Sequence, residues 1–151
     1  MYQRQLTPNF SGRDLLFLLK AALDLNVQPG PGGSGMSEIG PTTVAICSLP
    51  INIQKHFPLP WSNCRIVGLW PGQQIPLHVD APITGTRYHI PLQTNIHCFV
   101  YAEVDDRPLE SCWQSLELGR VYTVDPTWPH GAVNWGDDVR LHLMIDVEEQ
   151  K

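Results

Sequence analysis

His78 and Asp80 stand two residues apart, and on an extended strand that spacing turns both side chains to one face. A neutral imidazole beside a carboxylate supplies two of the three donors of a facial metal site. The third candidate is His130, in the turn-rich segment 125–131, 50 residues beyond Asp80. Two histidines and one carboxylate, with coordination positions left open, suit the non-haem Fe(II) of oxygenases. Arg140 follows His130 by ten residues, inside the apolar run 139–145. A guanidinium there needs an anion, because burying an unpaired charge is costly. A dicarboxylate co-substrate is such an anion. Arg87 and His89 flank Tyr88 and therefore share a strand face. They form a second cationic pair fitted to clamp a carboxylate beside the metal.

These residues need elements to hold them. Ser11 with Asp14 three residues on has the form of a helix start. Leu15, Leu16, Leu18, Leu19, Ala22, Leu23 and Leu25 then make a broad apolar stripe. The pattern predicts a helix over about 12–26, its apolar face packed outside a sheet. Residues 29–41 begin with a proline–glycine run that holds no regular structure. A lid over the site and a plain linker both fit this loop. From residue 42 onward, short β-like runs alternate with Pro, Gly and Asn. They fall at 42–49, 65–70, 75–80, 87–92, 98–104, 120–124, 131–135 and 139–146. One helix followed by such strands predicts a mainly β protein, an antiparallel sandwich or barrel over about 42–147.

The 151 residues predict a single domain. A hydrophobic share of 42% with five Trp is enough for a real core. A net charge of −5 argues against nucleic acid or an anionic membrane as a partner. Cys47, Cys64, Cys98 and Cys112 show no CxxC spacing, which argues against a zinc ribbon or thioredoxin-like motif. Free thiols, no signal-peptide core and no long apolar segment predict an intracellular, cytoplasmic protein.

The ordered set Pro71-Gly72, His78-x-Asp80, Arg87-x-His89, Asp125, His130 and Arg140 to Asp146 resembles the aspartyl/asparaginyl β-hydroxylase family. The resemblance covers roughly residues 60–147. It implies a double-stranded β-helix, a cupin-like jelly roll, and dependence on Fe(II), 2-oxoglutarate and dioxygen, with ascorbate as support. It implies that His78, Asp80 and His130 bind iron. It also implies that Arg140 pairs with the distal carboxylate of 2-oxoglutarate, with Arg87 and His89 contacting the co-substrate near the metal. Some members lack the carboxylate ligand; this chain carries Asp80. A serine that helps hold the co-substrate in some members falls near Val67 here. The implied reaction hydroxylates a C–H bond of an aspartyl or asparaginyl residue, or of a free amino acid-like molecule, and yields succinate and CO2. The rival reading is a metal-binding cupin without oxygenase activity, an isomerase or a ligand-binding module.

Further candidates belong to the pocket. His142 shares a strand face with Arg140. Trp70, Trp128 and Trp135 fit the core or the pocket wall. Selectivity should come from loops at the open end, in the stretches 30–39, 81–86 and 105–111. The second joins the proposed metal strand to Arg87, so Ile83 and Thr84 are the candidate selectors. His56 and His97 read as structural or surface residues.

Overall fold

A computed structural model describes residues 3–4, 13, 16, 20, 42–45, 61–80, 85–102 and 113–148. The strands among them are β1 (Gln3–Arg4), β2 (Thr42–Ala45), β3 (Trp61–Leu69), β4 (Gln74–His78), β5 (Gly85–Gln93), β6 (Cys98–Ala102), β7 (Trp113–Gln114), β8 (Tyr122–Val124), β9 (His130–Asn134) and β10 (Arg140–Glu148). They form two antiparallel sheets. The larger runs β1-β8-β5-β10-β3-β2 and the smaller β4-β9-β6-β7. The mainly β, sandwich-like architecture is thus as expected.

Alternation along β10 explains how one strand serves two environments. Leu141, Leu143, Ile145 and Val147 face away from the smaller sheet and join Ile66 and Ile90 in a buried apolar cluster. Arg140, His142, Met144 and Asp146 face the smaller sheet, and all four are buried. The register carries this split onto β3 and β5. Arg65 lies opposite Met144, and Arg87 opposite Asp146. A second apolar cluster between the sheets, including Leu69, Val100, Val124 and Ala132, closes the deep end of the sandwich.

Several boundaries differ from the sequence expectation. The strand expected at 65–70 starts at Trp61, and β7 was not foreseen, because two residues carry no readable period. The strand expected at 75–80 ends at His78. His78 and Asp80 therefore do not share a strand face; Asp80 follows the strand, its backbone N–H donating to Pro126 O at 3.0 Å. The helix expected at 12–26 lies largely outside the described residues. Arg13, Leu16 and Lys20 are helical and exposed, so Leu16 stands off the apolar face assigned to it. The glycine-rich loop at 29–41, most of 42–60, and the loops 81–84 and 103–112 with Ile83 and Thr84 lie outside the described residues as well.

Candidate metal centre

A tight turn sets the start of β4. Gln73 N–H donates to Trp70 O at 3.0 Å, with Pro71 second and Gly72 third in the turn at a φ of 77°. That is the type II arrangement, which needs glycine at the positive-φ position. The strand then pairs with β9, Ile75 opposite Ala132 and His78 opposite His130. Three steps along β4 match two along β9, so an extra residue is accommodated between Ile75 and His78 as a bulge. Without it His78 would point to the opposite face from Ile75; with it, both face the larger sheet.

The loop after β8 positions the other two donors. Asp125 accepts from Thr127 N–H at 2.9 Å and from the Thr127 hydroxyl at 2.6 Å. Those bonds also hold its carboxyl below the ordinary carboxylate value. The turn they fix presents Pro126 O to the Asp80 backbone and Trp128 O to the His130 ring.

Both imidazoles are held the same way. His78 Nδ1 lies 2.8 Å from Pro76 O, and His130 Nδ1 lies 2.8 Å from Trp128 O. A carbonyl accepts only, so each Nδ1 carries a proton, which leaves Nε2 as the atom of each ring that can ligate. Those Nε2 atoms face the Asp80 carboxylate, at 3.5 Å from Oδ1 for His78 and 3.6 Å from Oδ2 for His130. The rings stand 4.5 Å apart, and the three donors all lie within 4.8 Å of one another. Donors each about 2.1 Å from one divalent ion lie roughly 3–4 Å apart, and both His–Asp separations fall in that range. Burial, helped by the neighbouring His78, pushes the His130 pKa down, and the ring stays neutral as a ligand must be.

The three donors open onto a cavity of about 170 Å³ between the sheets. Its wall on the larger sheet carries three cations, Arg65, Arg87 and Arg140, with His89, Val67 and Met144 among them; the Arg87–His89 pair is therefore not the cationic pair expected, since only Arg87 is charged. Arg140 is 3% exposed and His89 5%. Burial first, then the charges of Arg87 and Arg140, drive the His89 pKa well below its usual value, so it stands neutral. His142 is neutral for the same reasons, burial and then Arg140. Its ring lies 5.9 Å from that of His89, edge to face. Asp146 sits among the cations. Burial alone would raise its pKa, but bonds from Arg87 and the charges of Arg87 and Arg65 outweigh that and hold it ionised.

Residues 35–150 match the family model described as Aspartyl/Asparaginyl beta-hydroxylase. The chain belongs to this family. No curated protein matches it. Among solved structures, AviO1 from Streptomyces viridochromogenes Tue57 is similar at a TM-score of 0.70 and 14% identity, over 98% of this chain and 89% of that one. SnoK, a non-heme alpha ketoglutarate dependent carbocyclase from nogalamycin biosynthesis, is similar at 0.65 and 15% identity, over 97% and 78%. A cupin domain from Bordetella pertussis tohama i aligns at 0.50 and 15% identity, over 76% and 100%. At these identities the likenesses establish the cupin fold, and the family establishes an oxygenase or hydroxylase.

The structure thus gathers His78, Asp80, His130, Arg87, His89 and Arg140 around one cavity. His142 lies behind it, lining a smaller space with Arg140 and Phe99. Trp70 and Trp128 do not line the main cavity. Trp70 is half-buried in the turn before β4, and Trp128 is 46% exposed, contributing its carbonyl to His130. His97 is exposed, as expected. Arg65 and Met144 were missed as cavity residues, and Asp146 as the carboxylate that pairs with Arg65 and Arg87. Extending the alternation from Arg140 through His142 would have reached Met144 and Asp146. Arg65 needed the register between β3 and β10. Among the described residues no helix is long and apolar enough to cross a membrane.

Proposed function

We propose that this protein is an Fe(II)- and 2-oxoglutarate-dependent dioxygenase that hydroxylates a C–H bond and releases succinate and CO2. The observation that carries the reading is the division of one cavity. Two Nε2 atoms able to ligate and a carboxylate converge on one side, and Arg140 and His89 stand on the other. A dianion with a chelating 2-oxo acid end and a distal carboxylate matches both sides at once. Bound Fe(II) would supply the activation of dioxygen, with ascorbate keeping the metal reduced.

The chain's own residues have separable tasks. His78, Asp80 and His130 would hold the metal from one side and leave the cavity side open for co-substrate and dioxygen. Arg140, buried on the opposite wall, would receive the distal carboxylate as a charge-assisted pair. His89, neutral and buried, can donate one hydrogen bond without competing for the metal's charge. Arg87 donates to Asp80 and Asp146, which commits three of its five N–H groups and leaves the others for a co-substrate oxygen.

An aspartyl or asparaginyl residue in a peptide, or a free amino acid-like molecule, is the substrate class in keeping with the family. The reading includes a single oxygenase domain working in the cytoplasm without nucleic-acid or membrane partners. Incubation with Fe(II), ascorbate and 2-oxoglutarate in air should yield succinate, and a screen of amino acids and peptides should then raise its rate. Iron binding without any succinate would leave a metal cupin of another kind.

A further inference from the structure

Asp146 is 2% exposed, on the face of β10 that meets the cavity. Its Oδ1 accepts from Arg87 Nε at 2.6 Å and its Oδ2 from Arg87 Nη2 at 3.0 Å, a fork-on-fork pair. Oδ2 also accepts from Arg65 Nη1 at 2.9 Å. The remaining corner of the Arg87 guanidinium, Nη1, donates to Asp80 Oδ2. A continuous chain therefore runs Arg65–Asp146–Arg87–Asp80 and ends at the candidate metal ligand.

The geometry of this chain matters because Asp80 lies beyond the end of β4. Its backbone N–H is bonded to Pro126 O, but its side chain takes its direction from what the carboxylate meets. Arg87 offers two ways to meet it. Through one corner it touches a single carboxylate oxygen. Through a forked edge, Nε–Nη2 or Nη1–Nη2, it would take both. Asp146 grips the first of these edges and so anchors the guanidinium. The anchored group meets Asp80 through Nη1 at one oxygen, Oδ2, and Oδ1 remains turned to His78 Nε2 at 3.5 Å.

We propose that Asp146 is a positioning residue for the metal centre: by gripping the Nε–Nη2 edge of Arg87, it fixes the guanidinium so that Nη1 meets Asp80 at one oxygen and the other stays aimed at the metal. The inference rests on the reading of His78, Asp80 and His130 as metal ligands. Without Asp146 the Arg87 guanidinium loses its anchor, and without Arg87 the Asp80 carboxylate loses its partner; either way Asp80 is no longer held with one oxygen toward the metal. Outer partners of metal ligands commonly change metal affinity by about 10- to 100-fold.

The test uses Co(II) as the probe, with the full chain and no co-substrate. Titration followed by the visible absorption of Co(II) gives both affinity and a coordination signature. The parent takes up one Co(II). Asp146→Asn weakens binding by about 10- to 100-fold, and its spectrum moves toward that of Asp80→Ala. A general loss of packing would not produce that spectral match. Adding Asp146→Leu to Arg87→Met should change the affinity by less than about twofold, since Asp146 acts through Arg87 and coupled residues are not additive. Replacing a buried pair with apolar side chains is often tolerated, so this double variant serves where Asp146→Asn does not fold. It should then bind about 10- to 100-fold more weakly than the parent, with the spectrum of Asp80→Ala. Parent-like affinity and spectrum in these variants, with binding still lost in His78→Ala, overturn the role of Asp146 and leave the metal site standing. A parent that takes up no Co(II) overturns the metal reading and this inference together.

Discussion

Replacing Arg140 with alanine should damage 2-oxoglutarate binding far more than a surface charge deletion would. Exposed ion pairs are worth about 0–1 kcal/mol, a loss of up to roughly fivefold. Arg140 is 3% exposed on the inner face of β10, and the register places it opposite the buried Leu69. Water screens little there, and truncating one partner of such a pair costs about 2–5 kcal/mol. At about 1.4 kcal/mol per factor of ten, the KM for 2-oxoglutarate should rise roughly 30-fold to several thousand-fold. The contact is made before and during the reaction alike, so kcat at saturating co-substrate should change little. Arg140→Lys should recover only a small part, because an ammonium cannot reproduce the planar fork. The assay is succinate formation against 2-oxoglutarate concentration, with thermal melting to verify the fold. A KM within about fivefold of the parent in Arg140→Ala would refute the placement of the distal carboxylate, because it would put the contact in the range of exposed pairs.

Three further outcomes follow from the geometry. His78→Ala or His130→Ala should remove the bound metal while the sheets persist, measured by metal analysis beside a thermal melt; retained metal would place the site elsewhere. Stability should fall as pH drops below about 6.5, the ordinary histidine value, because the unfolded chain takes up protons that the buried, neutral His89 and His142 refuse. Each contributes up to about 1.4 kcal/mol per pH unit in that range, so His142→Leu should flatten the slope of denaturation midpoint against pH, and an unchanged slope would speak against a neutral buried ring. Gly131→Ala should destabilise by about 1–3 kcal/mol, since the new methyl overlaps the Tyr101 ring, and that ring is tied by its hydroxyl to Ile75 O at 2.6 Å. Equal denaturation midpoints for Gly131→Ala and the parent would show that the ring yields freely.

Much of the site was legible because its members carry unusual chemistry for their surroundings. A charged Arg140 in an apolar run stands out, whereas the His78-x-Asp80 pair is a weak signal alone and gains weight only in combination with His130 and Arg140. The shared strand face expected for the pair does not exist, because β4 ends at His78. Their convergence depends on a bulge in β4 and on the backbone bond from Asp80 to Pro126, neither of which a two-residue period contains. Asp146 stayed hidden for a different reason. A carboxylate near the end of a strand reads as solvated unless the register shows Arg87 directly opposite it. Trp128 misled in the other direction, since an aromatic beside a ligand suggests a pocket wall, whereas its carbonyl rather than its ring holds His130. An antiparallel sandwich or barrel was readable from strand and turn spacing, and the family resemblance narrowed it to a jelly roll, but the six-plus-four partition of strands depends on pairings between residues far apart in sequence.

The account's central claim is that one cavity holds both the metal and 2-oxoglutarate, with Arg140 at the far end. Its most direct test is a titration of 2-oxoglutarate into the Fe(II)-loaded protein under exclusion of oxygen, followed by the visible charge-transfer absorption of an iron-bound 2-oxo acid. The parent should develop this absorption and saturate at one 2-oxoglutarate per iron. His130→Ala should show none, and Arg140→Ala should need roughly 30-fold or more co-substrate to reach the same level. Iron bound at one equivalent with no absorption change at any 2-oxoglutarate concentration would contradict the account.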